Sequence, residues 1–219
     1  MSAARIIFRM LAIAASLVIA SRVLGAEEGT PVQKPQVKVG DSWKYQVLIY
    51  QTNVPTSVTV DVRVVLVESD LILTVDTVAG KEFESQFTSD WATMSGGVLG
   101  EVFEPPIRHY RFPLTVGATY SYEYALIAKR GTAIRTKSEG LVTVVGWEDV
   151  QVPAGKFRAL KIEAKGTYQR LDIRYGGYQR WTYWYVPELK RGVKSTYEDG
   201  SRALPDTKRE VLLLEFNVQ

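Results

Sequence analysis

The sequence contains no cysteine and a single histidine among its 219 residues. The absence of cysteine excludes a disulfide framework, a thiolate metal site, a cysteine nucleophile and lipid attachment at an N-terminal thiol. With His109 as the only histidine, a multi-histidine metal cluster is excluded, and a Ser-His-Asp site would have to use that residue. The sequence also has no phosphate-binding glycine loop and no calcium-loop spacing. We therefore expect neither a metal nor a cofactor.

Residues 1–26 have the layout of a secretory signal peptide. Two arginines at the start are followed by an uncharged stretch, 10–21, and by small residues ending at Ala26. This stretch is about half of the roughly 20 residues that a membrane-spanning helix needs, which favours a cleaved signal over the alternative, a membrane anchor. We predict cleavage after Ala26, with Ala20 or Gly25 as alternatives, and a periplasmic or secreted mature protein.

The net charge of +3 resides in this predicted signal. The segment holds three arginines and no acid, so the body, 27–219, carries 24 basic and 24 acidic residues. Nucleic acid binding needs clustered Lys and Arg against the phosphates. We therefore expect no nucleic-acid partner. A body of this length buries roughly 70% of its unfolded surface and folds without disulfides.

The body reads as β-structure throughout. Valines at every second position of 58–64 alternate with polar residues, as in a strand with one buried face. No long 3.6-residue stripe occurs, which predicts an all-β domain. The other segments that read as strands are Ser42–Gln51, Leu71–Thr77, Thr119–Lys129, Leu141–Trp147, Phe157–Ala164, Tyr178–Val186 and Val193–Tyr197.

The sequence predicts two hairpin turns and leaves two possible structures for the C-terminus. Pro153-Ala154-Gly155 suits a turn with Gly155 in the left-handed region, and Gly176-Gly177 suits a two-residue hairpin turn. Thr207–Glu210 matches a helix capping box, but the residues that follow it alternate in hydrophobicity. We favour a closing strand at the C-terminus over a helix.

Two parts of the body, 38–88 and 114–198, resemble each other. Val39–Tyr45 matches Val116–Tyr122, and later strand segments match in the same order. This pattern indicates a duplicated β unit, the alternative being chance similarity between strands. The joining segment, 89–113, is rich in Gly and Pro yet apolar, and we expect either a lid over a sheet opening or a linker packed on the core.

Several motifs resemble bacterial exported proteins of the domain-of-unknown-function 3108-like (TapB-like) family, and they span roughly 38–198. The resemblance implies a β-rich exported domain related in shape to the half-open barrels of periplasmic lipoprotein-handling proteins. It implies no activity and no catalytic residues. The motifs are VGDSWKY at 39–45, FPLTVGATY at 112–120, EDVQVPAGKFRAL at 148–160, and WYVPEL at 184–189 followed by GVK at 192–194.

Candidate catalytic groups are few. His109 lies between arginines, which should lower its pKa, and no Gly-x-Ser-x-Gly elbow is present. Glu101 with Glu104, or Asp70 with Asp76, would be acid/base pairs, the alternative being solvated carboxylates. We therefore expect a protein that is not an enzyme.

The most informative candidate for a binding site is the hairpin 168–185. A turn at Gly176-Gly177 would place alternating aromatic, Arg and Asp side chains on one face, opposite a face that looks like the core side. Such a face resembles a platform for sugars or flat amphipathic ligands, the alternative being an outer sheet face steadied by cross-strand pairs. The predicted ligand-binding residues are Tyr168, Arg170, Asp172, Trp181, Tyr183 and Tyr185.

The sequence thus predicts one antiparallel β domain, 27–219, with a strongly curved sheet or a partly open barrel. Its first predicted function is binding or envelope assembly, with a lipid, a glycan or an envelope protein as partner. The alternatives are a module that pairs through an exposed sheet edge and a carboxylate-dependent hydrolase of envelope polymers.

Overall fold

The computed structural model describes residues 29–50, 55–130, 132–171, 175–201 and 206–219. The predicted signal peptide and Asp172 lie outside these residues. Among the described residues, no helix has the length and apolar character needed to cross a membrane.

The chain forms a closed antiparallel barrel of twelve strands. Each strand pairs with its neighbours in sequence, and β12 pairs with β1 to close the sheet. The all-β prediction is confirmed, as is the C-terminal closing strand. Helix among the described residues is limited to one 3-10 turn, Pro187–Leu189. The strands are β1 Ser42–Tyr50, β2 Thr56–Val67, β3 Ile72–Val78, β4 Lys81–Phe87, β5 Thr93–Gly96, β6 Glu101–Ile107, β7 Thr119–Arg130, β8 Thr132–Val152, β9 Gly155–Arg170, β10 Tyr175–Val186, β11 Arg191–Gly200 and β12 Thr207–Asn217.

The alternation of β2 divides its side chains between the interior and solvent. Val62 and Val64 are buried in the barrel, whereas Asp61 and Arg63 are exposed on its outer surface. Burying the valines supplies the hydrophobic stabilisation of the strand. A shift of one residue would exchange the two faces, so the pattern also fixes the register.

The hairpin between β9 and β10 does not turn at Gly176-Gly177. Tyr175 pairs with Arg170, so the connection lies four residues earlier and both glycines are inside β10. A Cβ on Gly177 would lie 2.1 Å from the carbonyl oxygen of Gly200. These glycines therefore permit close approach of neighbouring backbones, which the sequence alone does not distinguish from a turn.

The other predicted turn is confirmed. Val152 pairs with Gly155, which leaves Pro153 and Ala154 as the two-residue connection between β8 and β9. Gly155 has a φ of +140°, in the region that favours glycine.

The segment 89–113 is neither a lid nor a plain linker, because it contributes β5 and β6 to the barrel wall. Trp91 and Ala92, between β4 and β5, are buried at 4% and 0% exposure. The sequence concealed β6 because Pro105 and Pro106 fall inside it. The strand tolerates them because it pairs with β7 only through residues 102–104.

The two segments that resemble each other enter the barrel through turns with the same hydrogen bonds. The Gly40 amide donates to the Val64 carbonyl oxygen at 3.0 Å, and the Gly117 amide donates to that of Val144 at 2.8 Å. Register shifts follow both valines, in the β2–β3 pair and in the β8–β9 pair. A duplicated unit would produce this arrangement, and duplication stays a prediction.

The two ends of the barrel differ in their filling. Two hydrophobic clusters, one around Trp43 and Leu213 and the other around Leu160 and Tyr185, fill the end that carries the β2–β3, β4–β5 and β10–β11 connections. We call this the closed end. The opposite end, which carries the β5–β6 and β9–β10 connections, contains a cavity and is called the cavity end.

Candidate functional site

The barrel interior holds a cavity of about 470 Å³ that extends from the hydrophobic clusters to the cavity end. This volume is within the range of about 300–1,000 Å³ found for small-molecule pockets. Aromatic rings and polar side chains both contribute to the lining. The aromatic contributors are Phe87, Phe103, Tyr124, Tyr168, Trp181 and Tyr197, and the charged or amide contributors are Glu101, Arg170, Gln179, Asp199 and Arg209.

Three adjacent strands place Trp181, Tyr197 and Arg209 side by side on one wall. Trp181 of β10 pairs with Tyr197 of β11, which pairs with Arg209 of β12. The Trp181 and Tyr197 ring centroids are 4.3 Å apart, and the Arg209 guanidinium carbon lies 5.4 Å from the Tyr197 ring centroid. On the other side of Trp181, its partner on β9 is the small residue Ala164. We call these three residues the interior row.

The imidazole of His109 forms part of the cavity lining beneath the interior row. Its ring centroid is 5.1 Å from that of Trp181, and its Nδ1 is 3.1 Å from the hydroxyl of Tyr183. Burial, and to a smaller extent the charge of Arg209, together lower its pKa from 6.5 to about 3. The imidazole is therefore neutral at physiological pH and serves as a hydrogen-bonding and stacking group.

The interior carboxylates differ in their partners. Asp76 accepts hydrogen bonds from Ser85 at 2.6 Å and Thr74 at 2.8 Å, and Asp199 accepts one from Tyr197 at 3.1 Å. Burial raises the pKa of Glu101, while the charge of Arg209 opposes that rise. Asp76 and Asp199 are thus held by hydroxyl donors, whereas burial favours the neutral form of Glu101.

The predicted ligand-binding residues occupy two levels of the interior. Tyr168, Arg170 and Trp181 line the cavity. Tyr183 and Tyr185 lie deeper, where Tyr183 contacts His109 and Tyr185 is 0% exposed within the second cluster.

The face that carries these residues is the inside of the barrel, which corrects the expectation of an outer sheet face. The opposite face, expected to look toward the core, points outward, and Leu171 on it is 56% exposed. The cross-strand pairs are also different, since Trp181 lies opposite Ala164 and Tyr183 opposite Ile162. The observed connection lies four residues before the predicted turn. Because side chains alternate between the two faces of a strand, an even shift leaves the same residues together on one face.

The predicted acid/base pairs are not brought together. Glu101 lines the cavity while Glu104 is exposed, and Asp76 lies inside the barrel while Asp70 is exposed and accepts a hydrogen bond from Ser89. Within the described ranges, no group of three or more His, Asp or Glu side chains has the arrangement of a metal site.

Sequence reasoning missed Tyr197 and Arg209, and it did not include Gln179 among the predicted ligand-binding residues. Tyr197 and Arg209 stand on predicted strands, but only the pairing of β11 with β12 shows that they are neighbours. Gln179 shares a face with Trp181 and was visible in the same hairpin. Its side-chain amide donates to the hydroxyl of Tyr122 at 3.1 Å, a contact between residues 57 positions apart.

No protein-family model and no curated protein sequence matches the chain. A predicted lipoprotein from Parabacteroides distasonis has a similar structure, with a TM-score of 0.52 and 13% identity over 87% of this chain and 100% of that one. A predicted exported protein with YmcC-like fold from Bacteroides fragilis gives a TM-score of 0.40 at 14% identity, covering 86% and 100%. The hypothetical lipoprotein YmcC from Escherichia coli gives 0.44 at 8% identity, covering 80% and 84%.

At such low identity, the likeness to the Parabacteroides distasonis protein shows a shared fold and nothing finer.

Proposed function

We propose that this protein is an exported, non-enzymatic binding protein whose barrel interior holds a small glycan. The observation that carries the proposal is the cavity of about 470 Å³, with Trp181 and Tyr197 rings beside Arg209, Gln179 and Glu101. Aromatic rings stack against the apolar faces of sugars, and planar polar side chains hydrogen-bond to hydroxyl groups. Membership of the domain-of-unknown-function 3108-like family is part of the same proposal.

The mixed lining favours a glycan over a purely apolar ligand. One position of Gln179 and one of Asp199 are already used by hydrogen bonds within the protein. An apolar chain in this cavity would remove water from Arg209 and from the remaining donor and acceptor positions of Gln179 and Asp199 without replacing those hydrogen bonds. Each polar group left unpaired in this way costs about 1–3 kcal/mol, and more when it is charged. A ligand with several hydroxyl groups avoids that cost while still covering the rings.

The alternative functions have less support. Each of the twelve strands pairs with a neighbour on both sides, so the sheet lacks the free edge strand that pairing with a partner would use. The hydrolase alternative loses the two carboxylate pairs on which it rested. Export is supported by the basic, then apolar, N-terminal pattern and by the lipoprotein description of the structural neighbour.

A calorimetric comparison tests the proposal. The mature protein is titrated with glucose, N-acetylglucosamine, cellobiose and glucose 6-phosphate, and separately with lauric acid as an apolar probe. We expect binding of at least one sugar and weaker or no binding of lauric acid. Trp181→Ala should lower the sugar affinity about 10-fold or more, because a stacked aromatic contact is lost.

Trp184→Ala is the matched control. Trp184 belongs to the same strand but faces outward, where its indole N–H donates to Glu148. It should leave the sugar affinity within about twofold of that of the unmodified protein. Tight binding of lauric acid with no binding of any sugar would contradict the glycan proposal. An equal loss of sugar affinity in Trp181→Ala and Trp184→Ala would show that the cavity wall is not the binding surface.

A further inference from the structure

We infer that the cavity selects an anionic sugar, one with a carboxylate or a phosphate, and that Arg209 is the residue that recognises the anionic group. This inference rests on the proposed function and names the ligand class of that site. Its basis is the arrangement of charge within the cavity.

Arg209 points into the cavity from the end of the interior row. It pairs through the backbone with Tyr197, and its guanidinium carbon is 5.4 Å from the centroid of that ring. The contact holds the flat guanidinium against the wall. A guanidinium held over a ring in this way retains its planar N–H donors for hydrogen bonds to a ligand. Within the described part of the chain, no carboxylate lies within ion-pair distance of Arg209.

The charge of Arg209 reaches groups on several walls of the barrel. It lowers the pKa of His109. It also opposes the rise in pKa that burial causes at Glu101 on β6 and at Tyr183 on β10. The guanidinium side chain itself lines the cavity, together with His109 and Glu101. A ligand in the cavity would therefore meet this guanidinium.

The other charged groups leave Arg209 as the main ionic contact for a ligand. The carboxylates of Asp76 and Asp199 already accept hydrogen bonds from hydroxyl groups, and burial favours the neutral form of Glu101. Among the residues that the structure describes, no lysine lines the cavity, and His109 is neutral. Arg170, nearer the cavity end, already interacts with another part of the chain.

The chemistry of the guanidinium specifies the class of group that completes the site. Its planar N–H groups form paired hydrogen bonds with carboxylates and phosphates, and such charge-assisted bonds are shorter and stronger than neutral ones. A buried or half-buried cation without a counter-ion is unfavourable, so an anion supplied by the ligand stabilises the complex. A sugar acid or a sugar phosphate combines this anion with a ring that stacks on Trp181.

Two matched pairs of sugars test the inference: galacturonic acid against galactose, and glucose 6-phosphate against glucose. We expect the unmodified protein to bind at least one anionic member about 10- to 100-fold more tightly than its neutral partner. The two pairs distinguish a carboxylate from a phosphate ligand. Arg209→Met, which keeps the length of the side chain, should remove this preference, so that the anionic and neutral members of each pair bind with equal affinity.

Arg180→Met is the control of equal charge change. Arg180 is on the outer face of β10, 3.8 Å from Glu198, and its loss should leave the preference for the anion unchanged. Arg209→Lys should keep part of the preference, because it retains the charge without the planar fork. Unchanged circular dichroism and unfolding midpoints establish that each variant is folded.

The outcomes separate the two proposals. Equal binding of neutral and anionic sugars, or a preference that survives Arg209→Met, overturns the role of Arg209 and leaves the glycan site standing. The absence of binding to all four of these sugars, and to N-acetylglucosamine and cellobiose as well, overturns both.

Discussion

At the scale of single residues, His109 shows how the interior controls protonation. The sequence predicted a lowered pKa from the flanking arginines. The structure shows that burial is the larger cause and that the charge involved comes from Arg209, a hundred positions away on β12. The direction was accessible from the sequence, whereas its cause was not, because only the closed barrel brings Arg209 near the imidazole.

The lowered pKa makes a prediction about stability and pH. Because the folded-state value of about 3 is below the usual 6.5, the unfolded chain binds a proton between these values that the folded chain does not. The free energy of unfolding should therefore fall as the pH falls from about 6.5 toward 3. Between pH 7 and pH 5 the contribution of His109 reaches up to about 2 kcal/mol.

Urea unfolding of the unmodified protein and of His109→Phe at several pH values measures this effect. The phenyl ring keeps the stacking on Trp181 and cannot titrate, so the variant should lose less stability on acidification. Arg111→Gln, in the same loop, is the control and should behave like the unmodified protein. If the unmodified protein and His109→Phe lose the same free energy of unfolding on acidification, the imidazole of the folded protein titrates with its usual pKa.

At the scale of elements, an ion pair buried at the closed end joins three parts of the chain. Asp41 is 0% exposed and lies 2.8 Å from the ammonium nitrogen of Lys190, after the 3-10 turn. The Gln219 amide donates to the other carboxylate oxygen at 2.9 Å, and Lys190 donates to the Gln219 carbonyl oxygen at 2.7 Å. The pair thus links three segments to one another: the residues before β1, the β10–β11 connection and the residues after β12.

Asp41→Asn should destabilise the fold by about 3–5 kcal/mol, because it leaves the Lys190 charge buried without a partner. The double variant Asp41→Asn, Lys190→Met should recover part of this loss. Glu123→Gln, which breaks the exposed 2.8 Å pair with Lys137, is the control and should change stability little. All three are compared by urea unfolding, and similar effects for Asp41→Asn and Glu123→Gln would contradict the role given to the buried pair.

Elements with regular alternation were predictable, and those set by distant contacts were not. Residues 58–64 identified β2 because every inward-facing residue of that stretch is valine. In β4 the inner residue Ser85 is polar, since it hydrogen-bonds to Asp76, and this hides the pattern. The Asp41–Lys190 pair joins residues 149 positions apart, beyond the reach of any local signal.

At the scale of the whole molecule, packing is divided unevenly between the two ends. Val64 and Ile162 in the closed end are 1% and 0% exposed, while the cavity occupies the region bounded by Thr136 and Tyr168. The sequence predicted a curved sheet or a partly open barrel. It did not reveal full closure or the position of the cavity, because both follow from the pairing of all twelve strands.

Hydrogen exchange should report this division. Backbone amides surrounded by buried side chains open less often than those next to solvent-filled space. We expect slower exchange in peptides covering 62–64 and 160–164 than in those covering 136–138 and 166–170. Equal protection at both ends would indicate that the cavity end is as firmly packed as the closed end, contrary to the structure.

The hydrogen bond from the Gln219 amide to Asp41 also places Gln219 at the closed end of the barrel. Gly29, the first described residue, contacts the surroundings of Leu114 and Leu160, so both ends of the described chain emerge at the same pole, away from the cavity. A bulky fusion or a solid support attached after Gln219 would therefore lie at the closed end, opposite the cavity end.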